Sequence, residues 1–225
     1  MAVTKKSKKN SRKKSPPPQT LVLLVRHGRT PTTGDELPGR SPGLDLGEEG
    51  RNQAETVARH LTPIADRIDA VYASPLERTR QTAAPIARVA GVRVRSNKGL
   101  LELDVGDWTG RKLSELRKLP EWRTIQHSPS SFTFPGGESF ADMAHRFGST
   151  VRSLADRHRG RIIVVVSHAD PIRAFVAECM GVHLDLFQRT VASPCSVSAI
   201  AFSDGGTLVL TVNSTGDGVD RLAPS

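Results

Sequence analysis

Two short apolar runs, each followed within two residues by a histidine, constrain this 225-residue chain more than any other feature. Leu21-Val22-Leu23-Leu24-Val25 leads into Arg26-His27, and Ile162-Ile163-Val164-Val165-Val166 leads into Ser167-His168. Both runs are short and rich in β-branched residues, so they read as strands. An unbroken apolar strand has to be covered on both faces, as in a parallel sheet between layers of helices.

The intervening segments supply such layers. Ala54, Val57, Ala58 and Leu61 are spaced as one helical face, and Ala83, Ile86, Ala87 and Ala90 as another, with Pro85 expected to kink or restart the second helix. Phe140, Met143, Ala144, Phe147, Val151, Leu154 and Ala155 mark a long amphipathic helix. Asp170-Pro171 is expected to open a further helix as N-cap and first residue, and Gly181 to close it. Ala70–Ala73 and Val92–Arg95 read as additional strands, and Ser196–Phe202 with Thr207–Val212 as a final hairpin. Residues 100–137 read as mostly irregular, apart from a helix near Lys112–Leu119. Strands alternating with helices predict an α/β domain with a mainly parallel sheet of about six strands.

Composition matters chiefly through where the charge lies. The net charge is +9, but residues 1–20 carry seven Lys and Arg and no acid, leaving only +2 for the other 205 residues. That basic stretch ends in Ser15-Pro16-Pro17-Pro18 and has no apolar core of a secretory signal, so a disordered tail is expected over 1–20. It offers non-specific attraction to polyanions. A specific nucleic-acid partner is not expected, because the domain is near neutral and has only ten aromatic residues for stacking. No apolar run is long enough to span a bilayer. Two cysteines, Cys179 and Cys195, fit packed thiols in a reducing compartment, so cytoplasm is expected. The domain is expected over 21–215, with a short tail at 216–225.

Ligands of open α/β sheets bind at the carboxyl ends of the strands, which is where the polar clusters fall. His27 stands between Arg26 and Gly28, a setting suited to an anion, and neutral imidazole is a competent nucleophile toward phosphorus. His168 would share that sheet edge if the two strands are parallel. Two such histidines could instead ligate a metal, although the neighbouring arginines would repel a divalent cation. Arg78 and Arg80 follow a strand end at a helix start, and Arg78 is the better placed as a phosphoryl clamp, with Arg80 left to packing or a salt bridge. A leaving oxygen needs a proton. Glu102, Asp104 and Asp107 are candidates that position alone does not separate.

These residues together carry a resemblance. Arg26-His27-Gly28-Arg29-Thr30 resembles the Arg-His-Gly signature of the histidine phosphatase, or phosphoglycerate mutase-like, superfamily. Further elements match in order: Gly50-x-x-Gln53-Ala54, Ser74-Pro75-Leu76-x-Arg78-x-x-Gln81-Thr82-Ala83, Glu102-x-x-x-Gly106-x-Trp108-x-Gly110, Pro135-Gly136-Gly137-Glu138-Ser139 and Ser167-His168. The wording GDWTGRKLSEL, FPGGES and HLDLFQR is similar to an actinobacterial branch of phosphomutase-like proteins. The resemblance implies a three-layer α/β/α sandwich. It implies His27 as the nucleophile that becomes phosphohistidine, with Arg26, Arg78 and His168 binding the phosphoryl group. Glu102 would be the proton donor, with no metal and no cofactor. Thr33 and Ala169 stand where Asn and Gly are common, and would contact substrate through a hydroxyl and a backbone N–H. Arg29 and Asp45 depart similarly near the site entrance.

The implied activity is hydrolysis of a phosphorylated small molecule. A phosphomutase uses the same phosphohistidine and stands as the alternative, with Arg111, Lys112, Arg117, Lys118 and Arg123 as its candidate second phosphate site or simply a solvated face. A non-catalytic phosphate binder is the remaining reading. Trp122, Phe132 and Phe134 are expected to pack the core or a lid.

Overall fold

The computed structural model describes residues 19–216. Nearly all of the basic stretch and of the C-terminal tail therefore lies outside the described residues. The chain runs β1 (Thr20–Arg26), α1 (Glu48–Leu61), β2 (Ile68–Ala73), α2 (Glu77–Val89), β3 (Val94–Ser96), α3 (Leu113–Leu116), α4 (Glu121–His127), α5 (Phe140–Arg157), β4 (Ile162–Ser167), α6 (Ala169–Cys179), β5 (Val197–Ser203) and β6 (Gly206–Ser214). Short 3-10 turns punctuate the connections.

The six strands form one sheet in the order β3-β2-β4-β1-β5-β6. β1, β2, β3 and β4 are parallel, while β5 runs antiparallel to β1 and β6. Alternation along the strands sorts the core into two layers. Leu23, Val25, Val71, Ala73, Val164 and Val166 face Ala54, Val57, Ala58 and Leu61 of α1 and Ala83, Ile86 and Ala87 of α2. Val22, Leu24, Tyr72, Ile163 and Val165 face Phe147, Val151 and Leu154 of α5 and Ile172, Phe175 and Val176 of α6. Every residue of β4 is buried, which is why its sequence is unbroken. The architecture is the α/β/α sandwich expected.

A third apolar cluster lies above the carboxyl ends of the strands. Trp108, Leu116, Ile125, Phe132, Phe134, Phe140, Met143 and Phe187 form it, with Leu103 and Val105 beside Glu102. Trp108, Phe132 and Phe134 pack edge to face or tilted at centroid distances of 5.0–5.8 Å. Residues 100–137 are thus more ordered than expected: α3, α4 and several 3-10 turns fold around this cluster, each too short to show a helical period.

Three local expectations change. Asp170 does not cap α6; His168 holds that position in extended conformation, because the chain turns from β4 into the helix with no spacer. Asp170 instead accepts a hydrogen bond from Arg173 at 3.3 Å. Pro85 does not restart α2 as a separate helix; it is buried within one continuous helix, since Ile86 and Ala87 continue the core face. Arg80 is exposed rather than packed. Gly181 does close α6: its N–H reaches Glu178 O, and Val182 N–H reaches Ala177 O. Cys179 and Cys195 are free and lie on opposite faces of the sheet, and burial pushes their thiols up to about 11 and about 12.

Candidate active site

The parallel pairing of β1 with β4 puts Arg26 opposite Ser167, so the next residues, His27 and His168, emerge side by side. The His27 N–H donates to Ser167 O at 2.9 Å, and the two imidazole centroids lie 5.2 Å apart. The end of β2 contributes Ser74, and the first turn of α2 contributes Arg78. Glu102 comes from the loop after β3, beneath the aromatic cap.

The turn after β1 lies against α1 so closely that a side chain has no room. A Cβ at Gly28 would sit 2.5 Å from Gly50 O, and one at Gly50 would sit 2.0 Å from Arg29 O. The Gly28 N–H donates to Thr82 Oγ1 at 3.0 Å, tying the turn to α2.

His27 Nδ1 lies 2.7 Å from Gly28 O. A carbonyl can only accept, so Nδ1 carries the ring proton and Nε2 keeps its lone pair. Burial, then the charges of Arg78 and Arg26, lower the His27 pKa to about 3. The ring is therefore a neutral base in a cationic pocket. Burial and the same arginines also push His168 well below its usual range. His168 Nε2 lies 2.9 Å from Ser74 Oγ, while its Nδ1 is buried without a partner, 4.0 Å from Glu102 Oε2.

Both arginines are anchored at one nitrogen and free at others. Arg26 Nη1 donates to Ala192 O and Arg78 Nη2 to Gly39 O, each at 2.7 Å. Arg26 Nε, Arg78 Nε and Arg78 Nη1 are buried with no partner. Among the described residues, six buried side-chain polar atoms lack a partner, and four of them belong to Arg26, Arg78 and His168. Buried donors in such density call for an acceptor. A dianionic phosphoryl group supplies several, and the α6 N-terminus at Ala169 favours an anion there too.

Glu102 completes the group. Burial, then Asp170, raises its pKa to about 7, against the lowering influence of the Leu103 N–H, Arg78 and Arg26. Its carboxyl accepts that N–H at 3.0 Å through Oε1. Thr33 lies in the turn after His27, its Oγ1 accepting from Thr30 N and sharing a 2.9 Å hydrogen bond with Thr30 Oγ1.

The profile of the histidine phosphatase superfamily (branch 1) matches residues 22–215. The chain belongs to this superfamily. Among similar proteins, phosphoserine phosphatase 1 of Hydrogenobacter thermophilus is 33% identical over 199 residues, covering 86% of this chain and 92% of that protein. The bifunctional protein Rv2228c of Mycobacterium tuberculosis is 34% identical over 205 residues. That match covers 88% of this chain but 54% of the longer relative, so the chain spans about half of it. Among solved structures, Bacillus stearothermophilus YhfR superposes with a TM-score of 0.80 at 25% identity, covering 87% of this chain and 97% of that one.

Of the positions singled out from sequence, Arg26, His27, Arg78, Glu102 and His168 converge. Asp104 is drawn instead into an ion pair with Arg40 at 3.2 Å, and Asp107 is exposed. Arg111 is half-buried, while Lys112, Arg117, Lys118 and Arg123 are exposed. Sequence reasoning gave no part to Ser74, Gly39 or Arg40. Ser74 sat inside a quoted motif and could have been found there. Gly39-Arg40 lies in a Gly/Pro-rich loop with no periodic signal.

Proposed function

We propose that the chain is a phosphomonoester hydrolase that works without a metal through a phosphohistidine on His27. The observation that carries this reading is a neutral His27, its Nε2 lone pair free, set among buried cationic donors that lack acceptors. The ester phosphate seats on Arg26 Nε, Arg78 Nε and Nη1, His168 Nδ1 and the Ala169 N–H, with Thr33 at its edge. With Ser74 donating to His168 Nε2, the proton of neutral His168 sits on Nδ1 and points at the phosphate.

His27 Nε2 forms a bond to phosphorus as the ester P–O bond breaks, and the departing oxygen takes the proton of Glu102. Glu102, now a carboxylate, takes a proton from water, whose oxygen displaces His27 and releases inorganic phosphate. The arginines hold the equatorial oxygens through both transfers and supply the positive charge a metal would otherwise bring.

Hydrolysis is favoured over mutase chemistry because the partly buried Arg40, Arg146 and Arg173 are tied to carboxylates and carbonyls. None of these three offers a second phosphate a site, and of the cations named for that role Lys112, Arg117, Lys118 and Arg123 are exposed as a solvated face would be, with Arg111 half-buried. The relative named as a phosphoserine phosphatase points the same way. The presence of both His27 and Glu102 argues against a non-catalytic binder. We place the catalytic domain at 21–215 and the protein in the reducing cytoplasm, consistent with two free thiols.

The test is phosphate release from a chromogenic aryl phosphate in excess chelator, comparing the protein with its His27→Ala variant. Release that the substitution abolishes supports the mechanism. Release that survives it, or that chelator removes, overturns it.

A further inference from the structure

The motif Pro135-Gly136-Gly137-Glu138-Ser139 makes no part of the phosphate pocket, yet it is packed backbone to backbone on the loop that carries Glu102. A Cβ at Gly137 would lie 2.4 Å from Asp104 O, and one at Gly106 would lie 2.1 Å from Pro135 O. The Glu138 N–H donates to Asp104 O at 2.8 Å, and the Asp107 N–H to Pro135 O at 2.9 Å. This contact turns the Glu138 carboxylate inward, to a side-chain exposure of 14%.

Two arginines meet there. Glu138 Oε1 accepts from Arg146 Nε at 2.8 Å, and Oε2 accepts from Arg40 Nη2 and Arg146 Nη2 at 2.9 Å each. Both arginines also reach the backbone carbonyl of Glu102, Arg40 through Nε at 2.8 Å and Arg146 through Nη2 at 3.3 Å. Arg146 Nη1 additionally takes Gly99 O at 2.8 Å and Leu101 O at 3.0 Å. The stretch 99–102 has no sheet or α-helical ladder to fix it; the arginines hold the carbonyls of Gly99, Leu101 and Glu102, and Ser167 Oγ that of Leu100 at 2.8 Å.

We propose that Arg40, Glu138 and Arg146 form a brace that positions Glu102 against the leaving oxygen of the substrate. The inference rests on the reading of Glu102 as the proton donor. The three are positioning residues: their contacts run to the backbone and flanks of the acid. The same loop also reaches the phosphate clamp, because Gly39 O accepts from Arg78 Nη2 beside Arg40. Gly39 serves the clamp through its backbone carbonyl and Arg40 serves the acid through its side chain, so Arg40→Lys perturbs the acid alone. A proton donor must lie within hydrogen-bond reach of its oxygen, and a misplacement of about 1 Å costs on the order of a hundredfold in rate.

The experiment compares kcat/KM for an alkyl phosphate, whose alkoxide needs a proton, with that for 4-nitrophenyl phosphate, whose phenolate leaves without one. This parameter covers the steps up to alcohol release, so the later water attack does not enter. In Glu138→Gln and Arg40→Lys, kcat/KM for the alkyl ester should fall by roughly ten- to a hundredfold while the aryl ester changes little. Lysine should fail to rescue Arg40, having one nitrogen where Arg40 uses three, to Glu102 O, Asp104 and Glu138. The alkaline limb of the alkyl-ester profile should also move to lower pH as Glu102 gains solvent.

Equal losses on both esters would mark the trio as merely structural and overturn the proposal. Should Glu138→Gln fail to fold, Arg40→Lys on its outer loop decides by the same comparison. Glu102→Gln serves as the reference. If it does not separate the two esters, the assignment of the acid has failed, and the brace falls with it.

Discussion

His27 and His168 stand at the ends of adjacent parallel strands with their rings 5.2 Å apart and inclined at 65°. Strand register alone produces this pairing, since Arg26 lies opposite Ser167 and each histidine follows its partnered residue. Two cationic histidines at that distance would repel. Burial and the arginines keep both neutral, one with an open lone pair and one with an unpartnered Nδ1.

The pH dependence should reflect Glu102. Its pKa is raised to about 7, so the carboxyl is protonated below that value and loses its proton above it. Alkyl-ester kcat/KM should therefore fall as pH rises through about 7. His27, lowered to about 3, stays neutral throughout the working range and should impose no limb near its usual pKa. Glu102→Gln should remove the alkaline limb and lower alkyl-ester kcat/KM by about 10²–10⁴-fold. A limb that persists in this variant would assign the titration elsewhere.

Arg78 is fully buried and leaves Nε and Nη1 free, a planar fork that an ammonium cannot reproduce. Both Arg78→Lys and Arg78→Ala should lose on the order of 10²–10³ in kcat, measured on the aryl ester. Full activity in the lysine variant would mean that charge alone matters at this position.

Phosphate or vanadate should stabilise the folded protein. At a hundred times Kd the expected gain is about 2.7 kcal/mol, read as a rise in the thermal midpoint. Arg78→Ala should abolish that rise. A rise of equal size in the variant would place the anion outside the pocket.

Gly28→Ala should damage both stability and activity, because the new Cβ meets Gly50 O at 2.5 Å. Overpacking of this kind costs about 1–3 kcal/mol, measurable by denaturant unfolding. Phe147→Ala, within the core beneath α5, should cost about 3–5 kcal/mol while leaving the pH profile unchanged.

Much of this was legible in the sequence, for definite reasons. Buried strands announce themselves as β-branched runs, and strand ends locate sites, so His27, His168 and Arg78 could be placed from pattern. Glu102 could not be separated from Asp104 and Asp107 by position; the structure separates them, drawing Asp104 into an ion pair with Arg40 and leaving Asp107 exposed. The expected Asp170 cap and helix restart at Pro85 failed where tertiary packing overrode local preference. The cap was underestimated because its helices are shorter than the period by which helices are recognised. Arg40 and Arg146 gave no signal at all, since a charge on a loop or helix face reads as solvated until its partner is known.

The aromatic cluster carries a consequence for how the chemistry is divided. Glu102 is rooted among the cap's side chains, whereas His27 and Arg26 grow from the sheet and Arg78 from the helix beside it. On the proposed mechanism the sheet side would handle what every phosphate ester shares, and the cap, through Glu102, the leaving alcohol in which esters differ. On that mechanism, changes confined to the cap would retune the leaving group while the phosphoryl half of the reaction stays as it is.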